Sequence, residues 1–124
     1  MFLSLLLLSG CQTLSERKST NKLEATLTSY GATVRWQPLA GIYSFLEPKL
    51  QPDSLPTNLD NIRVTNYEVT VAPRQLSETR ATQTVAIEYV QKDRQVVHDM
   101  TDYQVWELSP TGDWLRANPI PSFH

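Results

Sequence analysis

At Ile62 the hydrophobic period of this chain changes, and that change limits the folds open to it. Before it, apolar residues recur at helical spacing. Leu23, Leu27, Tyr30 and Val34 follow one another at four, three and four, one face of an amphipathic helix. Leu39, Ile42, Tyr43 and Leu46 form a second stripe of the same kind, between Pro38 and Pro48. After it, the period is two. Ile62 and Val64 alternate on one parity, then Tyr67, Val69 and Val71 on the other, so a bulge is expected at Thr65-Asn66. Val85, Ile87 and Tyr89 mark a second strand, Val96 to Leu108 a third and Trp114 to Ile120 a fourth. Two helices followed by strands predict an α+β domain, with both helices on one face of a curved four-stranded antiparallel meander. The other face is left partly wet or free for a partner.

The joints have their own chemistry. The first helix is expected to open at Asn21 with Glu24 completing a weak capping box, and to end near Trp36 ahead of Pro38. Gly31 inside it suggests the close approach of another element. Lys49 to Asn61 reads as a connector with one turn at Leu55 to Leu59, and Ala72 to Arg80, with Pro73, as a loop. Gln91-Lys92-Asp93-Arg94 is a turn. If it is a two-residue turn at Lys92-Asp93, Tyr89 faces Val96, Ile87 faces His98 and Val85 faces Met100. Ser109-Pro110-Thr111-Gly112 has turn residues at the second and fourth positions.

The N-terminus says where the chain goes. Phe2 to Leu8 is apolar but far short of the about 20 residues a membrane span needs. It fits the apolar region of a signal peptide. Leu8-Ser9-Gly10-Cys11 resembles the lipobox of bacterial lipoproteins. The resemblance implies cleavage between Gly10 and Cys11, lipid on the Cys11 thiol and acylation of the new amino terminus. A leader normally opens with Lys or Arg; here the first cation is Arg17, so the reading expects an upstream start. With Cys11, the only cysteine, acylated, no disulfide is expected. Gln12 stands where an Asp would favour the inner membrane, and the family resemblance then implies the outer membrane, facing the periplasm. Residues 1–10 are thus read as leader, 11–20 as lipidated Cys and polar tether, and 21–121 as one periplasmic domain. A tether from Gln12 to Thr20 keeps that domain within about 30 Å of the bilayer.

Composition removes several functions. The net charge is −2, with 11 Lys and Arg scattered among 13 acids. Nucleic-acid binding wants a clustered basic face, and none is expected. No His pair has metal-ligand spacing, and no glycine-rich phosphate loop occurs among 4 glycines; the reading assigns no metal and no cofactor.

The helix–helix–connector–strand order resembles the nuclear transport factor 2-like (cystatin-like) fold, and more narrowly small bacterial lipoproteins of that fold. The resemblance rests on Tyr30 with Arg35-Trp36, Ser44-Phe45-Leu46, Ile62-Arg63-Val64 with Tyr67-Glu68-Val69, Asp102-Tyr103-Gln104-Val105-Trp106, and Trp114 with Pro119-Ile120-Pro121. Enzymes of the fold place an acid or a His inside a cone between helix and sheet. The candidates are His98, Asp99 and Asp102. Neighbours on a strand point to opposite faces, so His98 and Asp99 make no dyad. His98 and Asp102 share a face but lie about 13 Å apart along it. His98 is expected beside apolar partners, and His124 to be frayed. The aromatic set Trp36, Tyr43, Phe45, Tyr67, Tyr89, Tyr103, Trp106 and Trp114 reads as core and cone mouth, with Arg35 paired to Asp102 or Glu68. The function read from this is a lipid-anchored, non-enzymatic binding or envelope-assembly module. Its partner is another envelope protein or the cell-wall surface, met through Arg35, Trp36, His98, Asp102 and Trp106. The alternative is a ligand-binding or enzymatic cone using Asp102 or His98.

Overall fold

One long helix lies across a four-stranded antiparallel sheet. The computed structural model describes the chain from Phe2 to His124, with side chains from Arg17 onward; the side chains at the expected cleavage and lipid site, Gly10 and Cys11, lie outside those described. Helix α1 spans Phe2–Trp36. Strands β1 (Ile62–Ser77), β2 (Arg80–Gln91), β3 (Val97–Leu108) and β4 (Trp114–Arg116) follow in sheet order β1-β2-β3-β4. The α+β class with an antiparallel meander therefore stands. Among the described residues no helix is long and apolar enough to cross a membrane.

The helix differs from expectation at its start. Arg17 to Thr20, expected in the tether, is helical, so Asn21 caps nothing. That turn is also docked. The Trp114 indole donates to the Ser19 carbonyl at 3.1 Å, and Lys22 Nζ to the Gly112 carbonyl at 3.0 Å. The expected core stripe is in place: Leu23, Leu27, Tyr30 and Val34 are all buried.

The second helix is not an α-helix. Leu39–Phe45 is a seven-residue 3₁₀ helix. Pro38, at φ −54° and ψ 130°, is extended rather than helical, and Pro48 closes the segment from the other side. Only the residues 39 to 47 lie between the two prolines, about two and a half α-turns, which is short for a stable α-helix, and Gly41 adds a poor helix former. The tighter period of three stacks Leu39, Ile42 and Phe45 along one line. Leu46 leaves the segment by bridging to Arg116 on β4. The connector holds two further 3₁₀ turns, Pro48–Leu50 and Leu59–Asn61, the second later than the turn expected at Leu55 to Leu59.

The sheet contains more strand than the sequence suggests. The bulge falls as expected, with Val64 opposite Tyr89 and Asn66 opposite Glu88, leaving Thr65 unpaired. But β1 runs on through the segment read as a loop. Pro73 is tolerated because β1 is the sheet edge and the register slips between Val71 and Arg74, so no ladder bond is missed. The β2–β3 turn is also longer than two residues. It runs from Gln91 to Val96, with Gln95 at φ +51°. Asn61 holds it: its side chain donates to Asp93 at 2.8 Å and its carbonyl accepts from the Lys92 amide at 2.8 Å. The pairing moves by two residues, so Tyr89 faces His98, Ile87 faces Met100 and Val85 faces Asp102. The Ser109–Gly112 turn closes as expected, Gly112 N–H to Ser109 O at 2.9 Å.

Strand β4 stops after three residues because a side chain takes over its ladder. Asn118 Oδ1 accepts from the Val105 amide at 3.1 Å and its Nδ2 donates to the Tyr103 carbonyl, and Pro119 has no amide to continue with. The C-terminus is not frayed. Phe123 is buried, and the Tyr89 hydroxyl donates to the His124 carbonyl at 2.9 Å.

The close approach implied by Gly31 is Tyr67. A Cβ at Gly31 would lie 2.9 Å from Tyr67 Cε1, and the ring is held at its far end by Gln104 Nε2, 3.1 Å from the hydroxyl. Ala is the better helix former by about 1 kcal/mol, but forcing a methyl into packed atoms costs about 1–3 kcal/mol. Gly31→Ala is therefore expected to lower the urea midpoint, and an unchanged or raised midpoint would show that Tyr67 swings free.

Candidate functional site

The sheet face beneath α1 is polar at its centre. On β2 and β3 the buried parity includes Gln83 opposite Gln104, Val85 opposite Asp102 and Ala81 opposite Trp106, with Arg116 opposite Trp106 on β4. Gln83, Asp102, Gln104 and Arg116 are at most 3% exposed.

A buried charge must be paired and its remaining hydrogen bonds filled. Arg116 does both. Its two Nη atoms reach the two Asp102 oxygens at 2.8 and 2.7 Å, a bidentate fork. Nη1 also donates to the Tyr30 hydroxyl at 3.0 Å and Nη2 to the Pro119 carbonyl at 3.1 Å, while Nε serves Asn118. All five guanidinium protons have acceptors. Asp102 Oδ2 takes a third bond, from Gln104 Nε2 at 3.0 Å. Gln104 Oε1 accepts from Gln83 at 2.8 Å and from the Trp106 indole at 3.1 Å. The network is closed.

Burial would weaken the Arg116 charge, but the Asp102 hydrogen bonds and the Tyr30 oxygen outweigh it and raise its pKa. Burial pushes the Tyr30 phenol well above its usual range, partly offset by Arg116. Burial likewise raises Tyr67. Chemically, this arrangement ties strands and helix together. A base must reach a substrate proton within about 3 Å, and both Asp102 oxygens are already occupied.

The other expected site residues are spread out. Trp106, expected at a ligand or partner, is fully buried and packs edge-on against Tyr30 at 5.1 Å. His98 stacks on Tyr89 at 5.1 Å rather than lying against Ile87, and its Nε2 is buried without a partner. Arg35 pairs with neither Asp102 nor Glu68. It donates to the Val64 carbonyl at 3.0 Å and lies over the Trp36 ring at 3.9 Å. Trp36 and Tyr103, expected in the set that reads as core and cone mouth, are 72% and 69% exposed. Arg35 and Trp36 instead flank a surface cleft of about 850 Å³ where α1 ends, bounded also by Asp60, Arg63 and Lys92. Among the described residues no cluster of His, Cys, Asp or Glu can hold a metal ion.

The partners of Asp102 were missed at the sequence level, although a signal existed. Gln83 shares the parity of Val85, Gln104 that of Trp106, and Arg116 that of Trp114. Polar residues on the buried parity of three adjacent strands mean a polar cluster in the core. Comparison with protein-family models, with curated proteins and with solved structures finds no match to this chain.

Two outcomes follow from the network. Arg116→Met strands the Asp102 charge and is expected to cost about 3–5 kcal/mol in chemical denaturation; a loss under 1 kcal/mol would show the pair to be dispensable. The second concerns alkaline pH. A phenol whose pKa is higher folded than unfolded favours folding fully below the unfolded value, and that contribution is lost as pH rises through the folded one. The thermal midpoint should therefore fall above about pH 10, and Tyr30→Phe should flatten that fall relative to its own midpoint at pH 8.

Proposed function

We propose that this chain is a membrane-anchored periplasmic lipoprotein whose domain is a non-enzymatic binding or envelope-assembly module. The observation that carries the anchor is the apolar run Phe2 to Leu8 leading into Leu8-Ser9-Gly10-Cys11. A single acyl chain holds a protein only marginally, whereas two or more anchor it stably; the Cys11 reading supplies several. Gln12 favours the outer membrane, and the partner is another envelope protein or the cell-wall surface. The domain is proposed as a reduced nuclear transport factor 2-like cone in which the 3₁₀ segment Leu39–Phe45 takes the place of the second helix.

The non-enzymatic reading draws its support from the interior. The cone that would hold a catalytic acid is occupied by Arg116, Gln104 and Gln83, and Asp102 is 3% exposed. No base accompanies a nucleophile there. Binding is then left to the outer surfaces.

Intact mass spectrometry of the membrane-extracted protein tests the anchor. The expected species begins at Cys11 and carries acyl mass, and Cys11→Ser abolishes it. A mature chain with a free thiol and no added mass overturns the lipoprotein reading. For the domain, His98→Gln at matched abundance is expected to leave any envelope phenotype of the deletion unexpressed; reproduction of that phenotype by a variant of normal thermal midpoint favours chemistry in the cone.

A further inference from the structure

The cleft at the end of α1 combines groups that the core leaves unused. Arg63 and Lys92 are exposed. The four ion pairs among the described residues use other cations, Lys22, Lys49, Arg80 and Arg116. With Arg35 they place three cations among the lining residues against one acid, Asp60, on a protein whose net charge is −2; the nearby Asp93 and Glu88 carboxylates are engaged by Asn61 and Thr65. Such local concentration draws anions whatever the overall charge. Beside them stands Trp36, 72% exposed. Its indole is held by the Arg35 guanidinium at 3.9 Å, and Arg35 is fixed in turn by the Val64 carbonyl at 3.0 Å. An aromatic ring that is both exposed and braced loses little freedom when something stacks on it.

We propose that this cleft binds a carbohydrate chain bearing carboxylates. Trp36 and the exposed Pro38 offer apolar surface to the C–H faces of sugar rings. Gln37 and Asp60 offer hydrogen-bonding partners to hydroxyls. Arg63 and Lys92 pair with carboxylates, Arg63 as a fork and Lys92 as a point charge. The volume, about 850 Å³, accommodates more than one sugar ring within the usual range of ligand sites, roughly 300–1,000 Å³. The loops that set the cations are braced: Asn61 pins the Lys92 turn, and the bulge at Thr65 follows Arg63 on β1.

Position favours a glycan over the lipid headgroups of the anchoring membrane, and here the inference rests on the anchored reading. At about 1.5 Å per residue Trp36 lies about 28 Å along the helix from Arg17, farther again from Cys11. The cleft therefore sits at the end of α1 remote from the lipid site.

The test uses the full chain carrying Cys11→Ser in detergent micelles, so that its outcome does not depend on lipidation. Calorimetric titrations use peptide-free cell-wall glycan strands with free lactyl carboxylates, oligogalacturonate, each also after carboxyl reduction, and soluble glycerophosphoglycerol, the headgroup of phosphatidylglycerol. Saturable binding to either acidic glycan is expected, with loss on carboxyl reduction, and the stronger of the two names the source. Arg63→Ala and Lys92→Ala should each weaken it up to about fivefold, and more so at low salt. Trp36→Ala should weaken it by about fivefold or more. Because Trp106 and Trp114 are buried, protection of the accessible tryptophan from acrylamide reports contact at Trp36. Absence of binding to both acidic glycans, equal binding of the reduced forms, preference for the lipid headgroup, or unchanged affinity when Trp36→Ala, Arg63→Ala and Lys92→Ala are combined overturns the proposal. These variants alter exposed side chains, and their thermal midpoints identify any that fail to fold.

Discussion

The Asp102–Arg116 pair is the contact on which the arrangement of this domain turns. Two charges have been taken out of water, which costs several kcal/mol per ion unless every remaining hydrogen bond is filled. Filling them recruits residues from every part of the fold: Tyr30 from α1, Gln104 from β3, and Asn118 and Pro119 after β4. Gln104 extends the set to Gln83 on β2 and Tyr67 on β1. A slip of one residue in the register of β3 would carry Asp102 to the solvent face and strand Arg116. A sheet built only from interchangeable valines and threonines would not be penalised in this way. The pair thus acts as a registry device as much as a source of stability.

That same closure leaves the Asp102 carboxylate without a free oxygen. At the centre of the sheet face beneath α1 that carboxylate already has three donors. What remains accessible is made at the junctions between elements. The α1 terminus, the β1 start and the Asn61-pinned β2–β3 turn meet at the cleft of Arg35, Trp36, Arg63 and Lys92. No one of these segments would define a site alone. The long β1 edge carries exposed Val69, Val71 and Leu76, and its register slips and Pro73 interrupt the regular ladder a foreign strand would need.

Much of the framework was legible because it follows from local periodicity. Spacing of 3.6 put Leu23, Leu27, Tyr30 and Val34 on the buried face of α1, and a parity change placed the bulge at Thr65. Gly31 announced a close neighbour. Errors clustered where a residue far away in sequence decides the outcome. Pro73 reads as a loop former unless its strand is known to be an edge. The turn after Gln91 looks like a two-residue hairpin until Asn61, thirty residues upstream, is seen to hold it open, and that difference moved His98 from beside Ile87 to opposite Tyr89. The 3₁₀ segment carries an α-helical stripe, but two prolines leave it too little length.

The amino-acid sequence by itself determined the α+β class, the antiparallel meander, the apolar face of α1 and the lipobox-like N-terminal pattern, because each is a property of neighbours within a few residues. Only the tertiary structure decided that Asp102 is buried and paired, that Arg116 is its partner and that Arg35 and Trp36 face a cleft instead of the core. Those outcomes depend on which strands pair and in what register. A side chain's role as base, ion-pair partner or surface contact is set by the charges and carbonyls brought within about 3 Å of it, and most of these come from distant parts of the chain.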